Sequence, residues 1–311
     1  MARTALISHP ACLAHDPGPH HPESADRLRA VLTALDRPEF AGLLREAAPR
    51  ATPEQLLRAH TAAHVDAMLA LDPAPGECVT LDPDTIAGPG TLEAALRAAG
   101  GAVHAVDAVM AGRVRNAFVA TRPPGHHAER ARAMGFCLFA SAAIAARHAQ
   151  ARWGLTRVAV VDFDVHHGNG TQDIAWDDAG MFYGSSHQSP CYPGTGLAAE
   201  RGGHHQITNV PLPPGADGPA FRAAWRDRII PALDAYAPEL IVVSAGFDAH
   251  RADPLAQLRV EAEDFGWLTQ ALLAAADRHC AGRLVSVLEG GYDLAALAAS
   301  AAIHVRALLQ E

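Results

Sequence analysis

The chain of 311 residues has few cysteines and no pattern that would cross-link them. The five cysteines lie far apart, at positions 12, 78, 137, 191 and 280, and no two of them form a Cys-x-x-Cys pair. An odd number of widely spaced cysteines argues against a disulfide framework. We therefore expect reduced thiols in a cytoplasmic protein.

Long apolar runs and clusters of basic charge are missing as well. No apolar run reaches the length of a membrane span, and the opening MARTALISHPACLAHD has too short an apolar patch for a secretion signal. The formal net charge is −9 and no basic face is evident, so nucleic-acid binding is not expected. These features predict a protein that binds neither membranes nor nucleic acid.

The sequence does have a high apolar content, with 49% hydrophobic residues, which is enough for a large core. Apolar runs typical of strands recur along the chain, at residues 4–8, 117–121, 157–162, 181–185, 206–210, 240–245 and 283–289. Helical patterns lie between most of them, as at residues 22–35, 91–110, 141–152, 219–235 and 261–279. This alternation predicts an α/β fold, a single-domain open parallel β-sheet flanked by helices that spans residues 1–311.

Polar residues follow four of the predicted strands, each at its carboxyl end. The four segments are RPPGHHA (122–128), DFDVHHGNG (162–170), GFDAHRADPL (246–255) and EGGYD (289–293). Functional sites of open parallel sheets gather at the carboxyl ends of the strands. We therefore expect these four segments to converge on one rim of the sheet.

The segment VVDFDVHHGNGTQ (160–172) places ionisable side chains where a buried strand would continue. Because side chains on a strand alternate, Asp162, Asp164 and His166 share one face, and their burial is costly unless it is compensated. Asp164 and His166 can aim at one point, and Asp248 can supply a third ligand. Three protein ligands with an open position are typical of catalytic zinc. The alternative is a hydrogen-bonded Asp–His cluster without metal.

Two histidines and one tyrosine are the candidates for proton transfer and carbonyl polarisation. His126 and His127 suit acid–base work because imidazole titrates near neutral pH. Asp162 and Asn169 are the predicted partners of their far ring nitrogens. Tyr292 offers a phenolic donor that could polarise a carbonyl group. The alternative is an ordinary turn in each segment, with exposed histidines and a half-buried tyrosine.

Taken together, these motifs resemble the zinc-dependent histone deacetylase superfamily, whose fold is arginase-like. The resemblance covers nearly the whole chain and extends to HHPESADRL (20–28), MGFCLF (134–139), YPGTG (192–196) and LEGGYDLAAL (288–297). Asn169, where class I enzymes tend to have Asp, and the GFDA form around Asp248 resemble class II. That branch includes bacterial histone deacetylase-like amidohydrolases.

The resemblance implies one catalytic zinc ion (Zn2+) bound by Asp164, His166 and Asp248. His127 would be the general base and then the general acid, and His126, paired with Asp162, would be its electrostatic partner. Tyr292 would polarise the amide carbonyl. The resemblance also implies a structural potassium ion (K+), held by main-chain carbonyls around Asp162, Asp164 and His166 and by the region of Ser185.

A channel for an acyl-lysine side chain is implied as well. Phe136, next to Gly135, and Tyr192 match the two aromatic walls of that channel in the family. Asp84 matches an acid that grips the substrate backbone near the rim, with a turn or helix-capping role as the alternative. Leu255 stands where polyamine-selecting relatives have Glu, which argues against that form of polyamine selectivity.

The predicted function is therefore a zinc-dependent amidohydrolase that removes acetyl or other short acyl groups from amines. We expect the substrate to be acyl-lysine in peptides or proteins, from which the enzyme would free the ε-amino group. The alternatives are an acetylpolyamine or other small-amide hydrolase, a non-catalytic acyl-lysine binding protein, and a two-metal hydrolase of the arginase type. Iron(II) in place of zinc and a homo-oligomeric assembly also stay open.

Overall fold

The computed structural model describes residues 4–310. Eight strands form the main sheet: β1 (Thr4–Ser8), β2 (Leu44–Ala47), β5 (Asn116–Val119), β6 (Val158–Asp162), β7 (Met181–Gln188), β8 (Ile207–Leu212), β9 (Leu240–Ala245) and β10 (Leu284–Leu288). Their order is β2-β1-β5-β10-β9-β6-β7-β8, and every neighbouring pair is parallel. Two further strands, β3 (Val79–Asp82) and β4 (Thr85–Ala87), form a separate antiparallel hairpin.

All seven strands predicted from the sequence occur in the main sheet, with small shifts at their ends. The eighth, β2, was not predicted, because its four residues, Leu-Arg-Glu-Ala, alternate between half-buried and exposed at the sheet edge. The central strands β5, β6, β9 and β10 are buried throughout, as expected for a parallel sheet covered on both faces. The predicted fold class is confirmed.

Helices cover both faces of this sheet. They are α1 (Ala25–Leu35), α2 (Pro53–Leu56), α3 (Ala62–Leu69), α4 (Thr91–Met110), α5 (Ser141–Trp153), α6 (Asn169–Ala175), α7 (Gly218–Ala224), α8 (Ile230–Tyr236), α9 (Ala262–His279) and α10 (Leu294–Leu309). A π-helical segment, Trp225–Ile229, joins α7 to α8. Helices α4 and α5 pack in the core on one face, and α1, α9 and α10 pack in the core on the other.

Strand β6 shows how the two cores share one strand. Val158 and Val160 lie in the core that contains α4 and α5, whereas Ala159 and Val161 lie in the core of the opposite face. The strand ends at Asp162, but Phe163 and Val165 still pack in that second core. The alternation therefore continues past the end of the strand and turns residues 164 and 166 away from that core.

Within residues 4–310, no helix is long and apolar enough to cross a membrane. The five cysteines are free thiols. Three of them, Cys12, Cys137 and Cys280, are buried.

Candidate active site

The four polar segments meet at the carboxyl end of four adjacent strands. Strands β5, β10, β9 and β6 are consecutive in the sheet, and the polar segments follow them. The parallel register pairs Asp162 at the end of β6 with Ser244 near the end of β9. The predicted convergence on one rim is therefore a feature of the fold.

Asp164, His166 and Asp248 form a compact cluster of possible metal donors. One donor atom from each lies within 4.8 Å of the other two, and all three residues are buried. Nδ1 of His166 lies 3.2 Å from Oδ1 of Asp164 and 3.1 Å from Oδ2 of Asp248. The main-chain N–H of Val165 donates to Asp248 and that of Gly290 donates to Asp164, each at 2.8 Å. These bonds hold the two carboxylates in place.

The electrostatics of this cluster fit a divalent cation. Burial and the Asp164 carboxylate raise the pKa of Asp248 to about 7. Burial alone would lower the pKa of His166, but hydrogen bonds to Asp164 and Asp248 raise it well above its usual range. The two buried carboxylates thus repel each other, and positive charge between them would relieve that repulsion. One imidazole nitrogen and two carboxylate oxygens are a donor set that zinc accepts.

Each of the two adjacent histidines has the partner predicted for it. Nδ1 of His126 lies 3.1 Å from Oδ2 of Asp162, and Nδ1 of His127 lies 2.8 Å from Oδ1 of Asn169. Both rings are buried, with their centroids 4.0 Å apart. Tyr183, which the sequence analysis did not assign, donates its hydroxyl to Asp162 at 3.1 Å.

The two histidines have opposite pKa shifts. Burial alone would lower the pKa of His126, but the carboxylates of Asp164 and Asp162 raise it to about 10. Burial, together with the charges of His126 and His166, lowers the pKa of His127 well below its usual range. A cationic His126 therefore lies beside a neutral His127, and only a neutral imidazole can accept a proton.

Tyr292 enters the site from the segment after β10. Its ring lies 4.7 Å from the Arg27 guanidinium carbon, and its main-chain N–H donates to Asp253 at 2.7 Å. Arg27 also donates through Nε to the carbonyl of Gly291 at 2.6 Å. Burial raises the pKa of Tyr292 well above its usual range, so its phenol keeps the proton and remains a donor.

Glu289 and Arg27 are contacts of the site that the sequence analysis did not single out. Oε2 of Glu289 accepts the main-chain N–H groups of Gly125 at 2.6 Å and His126 at 3.1 Å. Burial raises the pKa of Glu289 to about 7. A charged residue directly after the apolar run of β10 was the available signal for Glu289. For Arg27 the signal was an arginine on a helix face otherwise made of buried residues such as Leu28 and Val31.

An apolar pocket leads to these groups. Its volume is about 220 Å³, and its lining includes His127, His166 and Tyr292. All five residues predicted to bind substrate also line it: Asp84, Gly135, Phe136, Tyr192 and Leu255.

Two of these lining residues show why their positions matter. Asp84 lies in the turn between β3 and β4, and its Oδ1 accepts the main-chain N–H of Gly135 at 3.2 Å. Gly135 has a φ of +56°, and a Cβ there would overlap the ring of His127. Only glycine fits this close approach beside the proposed base.

Comparisons with known proteins agree with this architecture. A family model described as the histone deacetylase domain matches residues 21–308. A histone deacetylase-like amidohydrolase of Pseudomonas aeruginosa is 41% identical over 313 residues, which cover 94% of this chain and 82% of the relative. A probable deacetylase of Archaeoglobus fulgidus is 36% identical over 301 residues, which cover 94% of this chain and 82% of that protein.

The fold is also similar to a solved structure. The crystal structure of the HDA15 HD domain superposes with a TM-score of 0.90 and 36% sequence identity. The superposition covers 98% of this chain and 88% of the other. The comparisons of sequence and of fold therefore agree with each other.

Proposed function

Because the chain belongs to the histone deacetylase family, we propose that it is a zinc-dependent deacetylase acting on acyl-lysine in peptides or proteins. One observation carries this proposal: a neutral His127 and a cluster of three metal donors lie together at an apolar pocket. Hydrolysis of an amide needs a proton acceptor, a stabilised oxyanion and access for the substrate. The described residues can provide all three.

Asp164, His166 and Asp248 would hold the metal ion. Zinc bound there would supply Lewis-acid polarisation of the scissile carbonyl and of the attacking water. Comparing the deacetylase activity of the zinc-loaded protein with that of the iron(II)-loaded protein tests which of the two ions supports catalysis.

His127 would carry out both proton transfers, first as general base and then as general acid. Its Nδ1 is bonded to Asn169, so Nε2 is the nitrogen free to take a proton from water. The proton then passes from Nε2 to the leaving amine nitrogen as the C–N bond breaks. His126, held positive by Asp162 and Asp164, stabilises negative charge that develops nearby. Tyr292 donates its phenolic proton in a hydrogen bond to the carbonyl oxygen.

The pocket supports a lysine-like substrate stem. Phe136 and Tyr192 offer aromatic surfaces to a chain of methylene groups, and Leu255 adds an apolar contact. Asp84 is the acidic residue of the lining, and it is the feature that favours the second candidate, a cationic acetylpolyamine. We prefer acyl-lysine because Leu255 provides no charge for a second amine.

A comparison of kcat/KM on acetyl-lysine peptides, N-acetylputrescine and N-acetylspermidine with zinc-loaded protein tests this proposal. The peptides should be hydrolysed with the higher kcat/KM. Leu255→Glu should shift the ratio toward acetylpolyamines by about tenfold, since one added charge pair is worth about 1.4 kcal/mol. Leu255→Met, which keeps the volume and adds no charge, is the matched control.

Other results would favour the alternatives. A wild-type preference for acetylpolyamines would support the second candidate. A zinc-loaded protein that binds acyl-lysine peptides without turnover would support a non-catalytic binding protein.

Three further features belong to the same proposal. A single domain over residues 1–311 is inferred from the alternation of strands and helices, a cytoplasmic location from the widely spaced, unpaired cysteines, and a structural potassium ion from the family resemblance. The register of β6 and β7 pairs Asp162 with Ser185, which brings the two segments named for potassium side by side.

A further inference from the structure

The side-chain amide of Asn169 lies between His127 and Glu129, an arrangement with a consequence for catalysis. Oδ1 of Asn169 is 2.8 Å from Nδ1 of His127, and Nδ2 is 2.8 Å from Oε1 of Glu129. Asn169 is the first residue of α6 and is buried. Glu129, in the segment after the histidine pair, is only partly buried.

The surroundings of Nδ2 determine which way the amide points. Besides Glu129, the neighbours of Nδ2 are the sulfur of Met134 at 3.3 Å and the main-chain carbonyl of His127 at 3.5 Å. All three are acceptors and none can donate. The NH2 end of Asn169 must therefore face them, which leaves Oδ1 for the imidazole. An amide oxygen only accepts, so Nδ1 of His127 must carry the proton and Nε2 must be bare.

The main chain around Glu129 is held firmly enough to serve as a reference point. The ring of His60 donates to the carbonyl of Glu129 at 3.0 Å, and the N–H of Glu129 donates to the carbonyl of Arg132 at 2.9 Å. The N–H of Arg130 donates to Asp173, one turn further along α6, also at 2.9 Å. The turn and the helix that carries Asn169 are thus joined at two points.

We propose that Glu129 is a positioning residue that orients the Asn169 amide and thereby selects the catalytic tautomer of His127. The carboxylate of Glu129 also explains why position 169 carries an amide and not a second carboxylate. An aspartate there would place a second carboxylate within 2.8 Å of Glu129 Oε1, and two such charges repel strongly when partly buried. The role of the tautomer in catalysis depends on the proposed function, whereas the orientation of the amide does not.

An exchange of the two polar groups tests the proposal. Glu129→Gln should lower kcat/KM by only about twofold, because the glutamine carbonyl can still accept from Asn169. Asn169→Asp alone should lower kcat about 10- to 100-fold, the usual range for groups that orient a site residue. The double variant, Glu129→Gln with Asn169→Asp, should have a kcat at least about tenfold higher than Asn169→Asp alone, since the glutamine NH2 then donates to the new carboxylate. KM should change little throughout.

Two variants serve as references. Glu129→Met removes the acceptor at similar length and should lower kcat about tenfold. Asp173→Asn should stay within about twofold of the wild type, because its remaining carbonyl oxygen can accept from Arg130. The Asp173 carboxylate contacts the same turn but is not a partner of the Asn169 side-chain amide, so it reports any general loosening of that turn.

The tautomer can be observed directly, without turnover. In the zinc-loaded full chain labelled with 15N-histidine, the His127 signals, assigned with His127→Gln, should show a protonated Nδ1 and a bare Nε2. In Glu129→Met the two forms should mix. This readout remains valid even if no substrate is hydrolysed, so failure of the proposed function and failure of this inference are distinguishable.

The proposal is overturned if His127 keeps a protonated Nε2 in the wild type, or if the tautomer is unchanged in Glu129→Met. It is also overturned if Glu129→Gln and Asn169→Asp have simply additive effects. Additivity would mean that the two side chains stabilise the fold independently.

Discussion

At the scale of single residues, His126 and His127 show how strongly neighbouring groups determine the pKa of a buried histidine. They are adjacent in the chain and equally buried, yet the pKa of His126 is raised to about 10 while that of His127 is lowered. The difference comes from their neighbours. His126 lies beside the carboxylates of Asp164 and Asp162, whereas His127 contacts the neutral amide of Asn169 and lies near the positive charges of His126 and His166. A charged partner stabilises the imidazolium, and an amide does so only weakly.

Tyr292→Phe removes the phenolic donor and leaves the rest of the residue in place. We expect kcat to fall about 100- to 1000-fold, as when one oxyanion donor is lost, with a modest change in KM. The stacking of Arg27 on the ring and the main-chain bond to Asp253 do not need the hydroxyl. Steady-state kinetics on an acetyl-lysine peptide measure the effect. An unchanged kcat would remove the phenol from the mechanism.

The sequence was informative about residues that break a strong pattern. Asp162, Asp164 and His166 interrupt an apolar strand, so they could be singled out and even paired with partners. Glu129 was not assigned a role because it lies outside the helices and strands and interrupts no periodic pattern, and the charge of Glu289 after β10 does not show which groups it binds. Asn169 lies 40 residues from Glu129 and the histidine segment lies more than 160 residues from Glu289. No local pattern records such a contact.

At the scale of elements, the ends of β6, β9 and β10 must approach each other closely for the donors to meet. Gly246, directly after β9, lies against Asp164, and a Cβ at position 246 would overlap its Oδ2. The absence of a side chain at this position therefore determines where a metal ligand can lie.

Gly246→Ala should weaken metal binding, because Asp164 must move away from the added methyl group. We expect a loss of about 10- to 100-fold in zinc affinity, measured by competition with a chelating dye. Gly42→Ala is the matched control, since its methyl group would meet only the end of Leu309 at an ordinary distance of 3.7 Å. Equal zinc affinity in Gly246→Ala and the wild type would contradict the proposed role of Asp164.

His304 joins α10 to α9 and β10 in the core. Its Nδ1 lies 2.7 Å from the Thr269 hydroxyl, which itself donates to a main-chain carbonyl, and its Nε2 lies 2.8 Å from the Ser286 hydroxyl. Thr269 must therefore accept from Nδ1–H and Ser286 must donate to Nε2. Burial lowers the pKa of His304 to about 3. The neutral form is thus built into the fold.

His304→Gln gives a prediction about stability and pH. The unfolded histidine takes up a proton below its ordinary pKa of about 6.5, while the folded one does not, so this residue's contribution is lost as the pH falls. At pH 7.5 the variant should be about 1–2 kcal/mol less stable. At pH 5.5 that difference should shrink by about 1.4 kcal/mol. Urea unfolding of both proteins at the two pH values measures this difference in the free energy of unfolding. A difference that is the same at both pH values would contradict the prediction.

At the scale of the whole molecule, the fold class follows from periodicity, and the functional rim follows from the fold class. Continuous apolar runs alternating with amphipathic helices leave few architectures besides a covered parallel sheet. The edge strand β2 and the hairpin β3–β4 were not predicted, because short elements with exposed residues lack a clear period. Asp84 lies in the turn of that hairpin and lines the pocket. Because the hairpin was not predicted, only the family resemblance indicated that Asp84 would be there.

The site draws on residues from widely separated parts of the chain, from Arg27 to Tyr292, so it exists only when the sheet is complete. Its metal donors are brought together by folding. Since a ligand that binds only the folded state stabilises it, zinc at 100 times its dissociation constant should add about 2.7 kcal/mol to the free energy of unfolding.

The most direct test of the central claim is elemental analysis of bound metal in the purified full chain and in Asp248→Ala. The claim is that Asp164, His166 and Asp248 together hold a single divalent ion. It predicts one zinc ion per wild-type chain after removal of loosely bound metal, and loss of that ion in Asp248→Ala with the fold retained by circular dichroism. A wild-type chain that holds no ion, one that holds two, or an Asp248→Ala chain that keeps its ion would contradict the claim.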